Sequence, residues 1–278
     1  MKSNDLLVFP HCPKTGGTTL KERYRHGNES FVVTDLGDRV TDKTKVAFGH
    51  SVQIGEYDKQ FDKNIVYLTC VRDPISRIMS MYNFYRTQLF YLNPDSPDVD
   101  FYLWFINKDV IRPMPVTKQY EYFLYQHVDV DEWFADKVLM DNTVVNDMYN
   151  NTVLTWDVKE DKSFVDNKKI QKRLQEKNKI ETHNMEVTWE RIMDKMNHVF
   201  FQCEDIVSKF DDIVAHYRLD LKVWDKMTVT NETKYDLKRH KLEYVSFFEL
   251  DEDLQYLVEL DLQADIEFFK RCQQKWKH

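Results

Sequence analysis

Residues 5–20 read DLLVFPHCPKTGGTTL, and they predict the architecture of the chain around them. Residues 5–11 form a short apolar run that predicts a buried strand. A lysine, two glycines and three threonines follow, and residues 17–26 then have the pattern of a helix. A strand, a glycine turn and a helix in this order are typical of α/β proteins.

The alternation of strand and helix continues beyond this segment. Residues 31–36 and 45–50 are strand candidates, and NIVYLTCV at 64–71 is an apolar run without a charge, as in strands buried on both faces. Asp73 and Pro74 then supply a helix N-cap and a first helical residue. We therefore predict a parallel β-sheet flanked by helices, in the α/β class.

The later part of the chain predicts further elements around an irregular middle. These are short helices at 99–107 and 117–127, a long helix over about 164–196, a strand at 198–203, a helix at 204–217, a polar loop at 230–241 and a closing helix at 251–273. No internal repeat or low-complexity linker divides the sequence, so we expect one domain over residues 1–278, with a helical and irregular elaboration at 91–195.

Composition argues against several classes of protein. The 278 residues carry a formal net charge of −8, which disfavours general binding to nucleic acid. No apolar run reaches the ~18 residues that span a membrane, and the N-terminus lacks a signal-peptide pattern, so we expect a cytoplasmic protein without membrane insertion. The four cysteines form no metal-binding pattern and are expected to be reduced, buried thiols: Cys12, Cys70, Cys203 and Cys272.

The loop after the first strand has the residues of an anion-binding site of the P-loop type. Glycines in such a turn let backbone N–H groups point at an anion, and the helix N-terminus adds a partial positive charge. The candidate residues are Lys14, Thr15, Gly16, Gly17, Thr18 and Thr19. An ordinary βα turn is the alternative, and we favour the anion site. In a Walker A loop the lysine follows the glycines, whereas here it precedes them, which weakens an ATPase or kinase interpretation without excluding it.

A second polar group follows the strand predicted at 64–71. Arg72 stands at its carboxyl end, where ligands bind in open α/β sheets, and Ser80 lies two turns along the next helix. An arginine and a serine placed in this way can hold one phosphate through charge-assisted hydrogen bonds. Considered alone, Arg72 could equally cap its own sheet.

Together, PKTGGTTL and VRDPISRIMSMY resemble the paired motifs of the sulfotransferases that use 3′-phosphoadenosine 5′-phosphosulfate (PAPS). The closer similarity is to the carbohydrate group typified by the heparan sulfate 2-O-sulfotransferases. The resemblance implies that Lys14 to Thr19 hold the 5′-phosphosulfate, and that Arg72 and Ser80 hold the 3′-phosphate. It also implies that PAPS is the sulfuryl donor.

FGHS at 48–51 is a third point of similarity. The carbohydrate sulfotransferases carry a histidine after the strand between the two motifs as catalytic base, and the matching residue is His50. Weaker similarity extends to HVFFQCEDIVSKFDDI at 198–213 and to TNETK at 230–234, which implies that Lys234 lies near the nucleotide. The segment 91–195 matches nothing in this family, and we expect it to lie on the acceptor side. The membrane anchor of the animal Golgi enzymes is missing, which suggests a bacterial or viral soluble homologue or a trimmed catalytic domain.

The expected reaction is transfer of the sulfuryl group to an acceptor hydroxyl, in which positioning and charge neutralisation supply most of the catalysis. We expect Lys14 and the loop amides to stabilise charge on the leaving oxygen. We expect His50 to accept the proton, because an unperturbed histidine has a pKa of about 6.5. His11 and Glu22 are rival bases, although we favour a His11 packed beneath the loop and a solvent-facing Glu22. No metal is expected, since the sequence has no HExxH motif and no carboxylate cluster at ligand spacing.

The acceptor is expected to be a carbohydrate. A basic run could bind an acidic polysaccharide, but we favour a solvated helix face for Lys168, Lys169, Lys172, Arg173, Lys177 and Lys179. Aromatic residues that could stack on sugar rings, or belong to the core, are Tyr82, Phe84, Tyr85, Phe90 and Tyr91. Two other functions stay open: a P-loop phosphotransferase that uses ATP or GTP with Mg²⁺, and a non-catalytic nucleotide-binding protein.

Overall fold

A computed structural model of the chain describes residues 4–92, 94, 98–107, 118–125, 167–201, 206–224 and 232–276. Within these residues the strands are β1 (Asp5–Pro10), β2 (Phe31–Val33), β3 (Val46–Gly49), β4 (Asn64–Cys70) and β5 (Met196–Phe200). They form one sheet in the order β2-β3-β1-β4-β5, and each neighbouring pair is parallel. The predicted α/β class is confirmed.

Helices connect the strands and flank the sheet. In chain order the described helices are α1 (Gly17–Arg25), α2 (Tyr57–Gln60), α3 (Pro74–Leu92), α4 (Phe101–Asn107), α5 (Gln119–Tyr125), α6 (Asn167–Arg191), α7 (Ile206–His216), α8 (Glu232–Arg239), α9 (Glu252–Asp261) and α10 (Gln263–Trp276). Over the part of the chain that the structure describes, none of them combines the length and apolar character of a membrane-spanning helix.

The central strand, β1, is buried on both faces. Leu6 and Val8 belong to one apolar cluster, which includes side chains of α5, α6 and α10. Leu7 and Phe9 belong to a second cluster, with side chains of α1 and α7. Because successive side chains of a strand point to opposite faces, the two clusters are the two faces of the sheet. The uninterrupted apolar run of β1 is the pattern expected for such a strand.

The start of α3 has the predicted cap. Pro74 is the first helical residue, and the Asp73 carboxylate accepts a hydrogen bond from the Ser76 N–H, with Oδ1 and N 2.7 Å apart. An N-cap side chain satisfies an amide that lacks an acceptor within the helix. This cap sets the first turn of the helix that carries several site residues.

Two predictions about the C-terminal region are wrong. Residues 230–241 do not form a polar loop, because Glu232–Arg239 is the helix α8. Although most of its residues are charged, Thr233 and Leu237 are one turn apart and buried. Phe90 of α3 stacks on His240, just beyond the end of α8. The single closing helix predicted at 251–273 is two helices, α9 and α10, which meet at the buried Leu262.

Other boundaries shift by a few residues. β2 ends at Val33, because Thr34–Leu36 forms a turn of 3₁₀ helix that ends at Gly37 with a φ of 82°. β5 begins at Met196, two residues before its predicted start. The side chains of Cys12, Cys70 and Cys272 are buried, as predicted. Cys203 and most of the irregular middle segment lie outside the described residues.

Candidate active site

The three predicted motifs follow three adjacent strands of the sheet. β1 lies between β3 and β4, and all three strands are parallel. The loop with Lys14 follows β1, His50 follows β3 directly, and Arg72 lies two residues after β4. Since the carboxyl ends of parallel strands meet at one edge, the fold brings the motifs together where open α/β sheets bind ligands.

The loop after β1 is held in shape by its own groups. Lys14 and Gly16 have φ angles of 67° and 94°, in the left-handed region that glycine tolerates and lysine rarely adopts. The Thr15 hydroxyl donates to the Cys12 carbonyl at 2.8 Å, and the Thr19 N–H donates to the Gly16 carbonyl at 3.2 Å. The Thr15 hydroxyl and the Thr19 amide therefore stabilise the turn itself.

His11 packs beneath this loop, as favoured from the sequence. Its side chain is 6% exposed, and its Nε2 accepts a hydrogen bond from the Gly17 N–H at 3.0 Å. A Cβ atom at Gly17 would overlap the imidazole ring, so the close approach requires glycine. Burial lowers the pKa of His11 well below 6.5, and the positive charges nearby add to the effect. A buried ring with an occupied Nε2 is poorly placed to act as the base.

Thr18 is the exposed member of the predicted anion-binding loop, Lys14 to Thr19, which is called the anion loop below. It is the second residue of α1, in the first turn, whose amides have no acceptor within the helix. The Gly17 amide is already bonded to His11, and the Thr19 amide to Gly16. The exposed Thr18 therefore offers its hydroxyl at the start of α1, where an anion would be stabilised.

The Lys14 side chain reaches two other parts of the chain. Its Nζ lies 4.1 Å from the ring centroid of Phe84 on α3 and donates to Thr233 Oγ1 of α8 at 3.4 Å. A lysine ammonium over an aromatic face is attracted by the ring quadrupole. These contacts place α8 beside the anion loop, which the sequence suggested only through the weak similarity of TNETK.

Arg72 is held from two directions. Its Nη1 donates to the Lys14 carbonyl at 3.3 Å. Its main chain is bonded to the Gln119 side chain, which accepts from the Arg72 N–H and donates to its carbonyl, both at 2.8 Å. The buried Asp265 carboxylate in turn accepts from the Gln119 backbone N–H at 2.8 Å and from its side-chain amide at 3.3 Å. Gln119 and Asp265 belong to none of the predicted motifs.

Ser80 lies on the face of α3 that meets the anion loop. Arg77 donates from Nε to the Pro13 carbonyl at 3.0 Å, and Phe84 lies under Lys14. Ser80 is three residues after Arg77 and four before Phe84, so the three are neighbours on one helix face. Ser80 is 8% exposed. Arg77, 3% exposed, is a loop-supporting residue that the sequence analysis did not single out.

His50 is exposed, and its ring orientation is fixed. Nδ1 donates to the His11 carbonyl at 2.6 Å. Because a carbonyl oxygen only accepts, Nδ1 carries the proton in the neutral ring, and Nε2 keeps its lone pair. The Asp35 carboxylate accepts from the His50 N–H at 2.7 and 2.9 Å, and the Tyr122 hydroxyl donates to the His50 carbonyl at 3.1 Å. Asp35 and Tyr122 were not predicted, because nothing in their local sequence marks them.

Lys234 lies beside Tyr244, with its Nζ 5.3 Å from the ring centroid. Burial raises the pKa of Tyr244, and the positive charge of Arg72 opposes the rise. Glu22 instead pairs with His26 at 3.4 Å, with both side chains more than a third exposed, on the solvated face predicted for it.

The basic run on α6 divides between solvent and interior. Lys172 is 78% exposed and pairs weakly with Glu176, as on a solvated face. Lys177 points inward instead and is 3.3 Å from carboxylate oxygens of Glu181 and Asp261. The side chains of Lys168, Lys169 and Arg173 lie outside the described residues.

The aromatic residues of α3 divide in a similar way. Tyr82 belongs to the core, Phe84 contacts Lys14, and Tyr85 packs partly buried against the Tyr82 cluster. Phe90 stacks on His240, and Tyr91 is half exposed. Only the last of these offers much surface to a sugar ring.

Neither protein-family models nor curated proteins match this chain in sequence. Among the residues that the structure describes, no group of three or more His, Cys, Asp and Glu side chains is arranged to hold a metal ion.

Proposed function

We propose that the protein is a sulfotransferase that moves the sulfuryl group of PAPS to a hydroxyl group of a carbohydrate acceptor. The observation that carries the proposal is the meeting of three elements at one sheet edge: the Lys14 loop, Arg72 in contact with it, and the Nε2 lone pair of His50 on the adjacent strand. The carbohydrate acceptor and a cytoplasmic location are parts of the same proposal.

Two neighbouring cationic groups suit a donor with two separate anionic ends. Lys14 and the Thr18 hydroxyl at the start of α1 would hold the 5′-phosphosulfate. Arg72, together with Ser80 and Lys234, would hold the 3′-phosphate. The link between Arg72 and the Lys14 carbonyl fixes the spacing of the two sites.

The hydrogen bond that the Thr15 hydroxyl donates within the loop favours PAPS over ATP or GTP with Mg²⁺ as the donor. In a P-loop phosphotransferase, the Ser or Thr directly after the lysine binds the magnesium ion through its hydroxyl. Thr15 follows Lys14 directly, but its side chain is fully buried and its hydroxyl donates to the Cys12 carbonyl. The Thr15 hydroxyl is therefore not available as a magnesium ligand.

The chemical step needs one base and one group that stabilises the leaving oxygen. The acceptor oxygen forms a bond to sulfur while the bond between sulfur and the 5′-phosphate oxygen breaks, and 3′,5′-adenosine bisphosphate leaves. His50 accepts the hydroxyl proton at Nε2, the nitrogen that its bond to the His11 carbonyl leaves unprotonated. Lys14 stabilises the negative charge that develops on the leaving oxygen.

A comparison of ligands by thermal shift tests the proposal. Adenosine 3′,5′-bisphosphate at about 100 times its Kd should add roughly 2.7 kcal/mol to the stability, with or without Mg²⁺. ATP and GTP should have little effect. Stabilisation by ATP with Mg²⁺ and none by the bisphosphate would instead identify a phosphotransferase. Binding of the bisphosphate without transfer from PAPS to any oligosaccharide would contradict the carbohydrate acceptor, and no His50-dependent transfer to any acceptor would identify a non-catalytic nucleotide-binding protein.

A further inference from the structure

His11 contacts both halves of the candidate site. Its ring accepts the Gly17 N–H at Nε2, and its main-chain carbonyl accepts the His50 Nδ1–H. The two imidazole rings also stack, with centroids 4.6 Å apart and an interplanar angle of 28°. One residue therefore connects the loop that would hold the donor to the side chain that would accept the proton.

We propose that neutral His11 is a positioning residue that holds the anion loop and His50 in a fixed position relative to each other. The roles of the anion loop and of His50 in this inference rest on the proposed function, whereas the contacts of His11 do not depend on it. Through Gly17, the ring fixes the start of α1 relative to the edge of the sheet. Through its carbonyl, the residue fixes the His50 tautomer, so that Nε2 is the basic nitrogen.

The contacts of the ring leave little room for another arrangement. Phe48 of β3 stacks on it, with centroids 5.1 Å apart, on the strand that leads to His50. Gly17 approaches so closely that a Cβ would overlap the ring. If the acceptor at Nε2 were removed, a buried N–H would lose its partner, which costs more than the hydrogen bond itself contributes.

Protonation of His11 would disrupt this arrangement. Its Nε2 would then carry a proton opposite the Gly17 N–H, so that two donors would face each other. The charge would also lie at the N-terminus of α1, where the helix dipole is already positive. A further positive charge on the ring is opposed by His50 after β3, Lys21 on α1, Lys14 in the loop and Arg77 on α3. The loop should therefore lose affinity for anions in acid.

Nuclear magnetic resonance of the full chain, labelled with ¹⁵N-histidine, tests the state of His11 without any nucleotide. We expect a neutral ring protonated at Nδ1, which stays neutral at a pH where a free histidine, with a pKa of about 6.5, is half charged. The signal that is absent from the His11→Gln variant identifies the residue. A ring that carries its proton on Nε2, or that titrates like free histidine, would overturn the proposal.

Binding of adenosine 3′,5′-bisphosphate to two variants tests the positioning role. His11→Phe keeps an aromatic ring for stacking but has no acceptor, and we expect it to bind roughly tenfold or more weakly. His11→Gln offers an oxygen acceptor that cannot gain a charge, so it should recover part of the affinity and lose the sensitivity to acid. Unchanged affinity of the phenylalanine variant would contradict the positioning role.

The two measurements separate this inference from the proposed function. If the wild-type chain did not bind the bisphosphate, the proposed donor would be wrong, while the histidine spectra would still decide the state of His11. If the phenylalanine variant failed to fold, the spectra and the acid sensitivity of the wild-type and glutamine proteins would decide the role. If bisphosphate binding by the wild-type and glutamine proteins were equally sensitive to acid, the positioning role of His11 would be contradicted.

Discussion

The guanidinium of Arg72 donates a hydrogen bond from Nη1 to the main-chain carbonyl of Lys14, 3.3 Å away. The contact joins the loop after β1 to the residue that follows β4. Gln119 fixes the main chain of Arg72 at the same time, and Gln119 is itself held by the buried Asp265. The position of the arginine is therefore set by the core as well as by the loop, which suits the proposed role of holding a phosphate at a fixed distance from Lys14.

Replacement of Arg72 by alanine should weaken bisphosphate binding by about 10- to 100-fold, the range for losing a hydrogen bond to a charged group. Isothermal titration calorimetry measures the loss, and the salt dependence of binding should also become less steep. Arg39→Ala is the matched control, since Arg39 is exposed and belongs to none of the predicted motifs. Equal losses in the two variants would show that only overall charge matters.

Replacement of His50 by alanine should lower turnover by about 10²- to 10⁴-fold, as expected for loss of a general base. Bisphosphate affinity should stay unchanged, because the His50 side chain is bonded to the His11 carbonyl and not to the anion loop. A transfer assay with PAPS and an oligosaccharide acceptor measures the effect. His183→Ala, at an exposed position on α6, is the control and should retain activity. Near-normal turnover of the His50 variant would refute its assignment as base.

Replacement of Gly17 by alanine should destabilise the protein by roughly 1–3 kcal/mol, because the new methyl group would overlap the buried His11 ring. Urea denaturation measures the change in the free energy of unfolding. Thr18→Ala, one residue further along and exposed, should change stability little. The double variant His11→Ala with Gly17→Ala should lose less stability than the two single variants lose together, because the smaller side chain at position 11 removes the overlap. Simple additivity would mean that the ring is not the cause.

Glu121 should make stability depend on pH. Burial raises its pKa from 4.5 to about 7, although Lys118 opposes the rise. Between those two values the unfolded chain has lost the proton while the folded chain keeps it, so this residue lowers stability as pH rises through that window. Glu121→Gln should therefore match the wild type below the window and exceed it above, by roughly 1–3 kcal/mol.

Denaturation at several pH values measures this difference. Glu190→Gln, at an exposed position on α6, is the control and should show no such pH-dependent gain. A constant difference between wild type and the Glu121 variant across the window would contradict the assignment of the raised pKa.

Local sequence patterns predicted the strands, the turn and the helix start that carry the candidate site residues. The apolar runs of β1 and β4, the glycine turn and the Asp73-Pro74 cap appear in the structure where their chemistry requires them. These signals depend on neighbours within a few residues, so they can be read without knowing the fold. The same holds for Lys14, in the loop after the first predicted strand, and for Arg72, directly after the strand predicted at 64–71.

The residues that support the site could not be found in this way. Gln119 holds Arg72 from 47 positions along the chain, and Thr233 meets Lys14 across 219 positions. α8 was missed because its sequence is mostly charged, and among its described side chains only Thr233 and Leu237 are buried. Whether such polar residues lie in solvent or on a neighbouring helix depends on the packing of distant segments.

The amino-acid sequence by itself determined the alternating strands and helices, the glycine turn with its lysine before the glycines, and the placement of Arg72 and His50 at strand ends. The tertiary structure alone decided that His11 lies under the loop and joins it to His50, and that Gln119, Asp265 and α8 support the charged residues. The physical reason is that periodicity and turn chemistry act between near neighbours, whereas burial, stacking and shared hydrogen bonds exist only after the sheet has brought distant segments together.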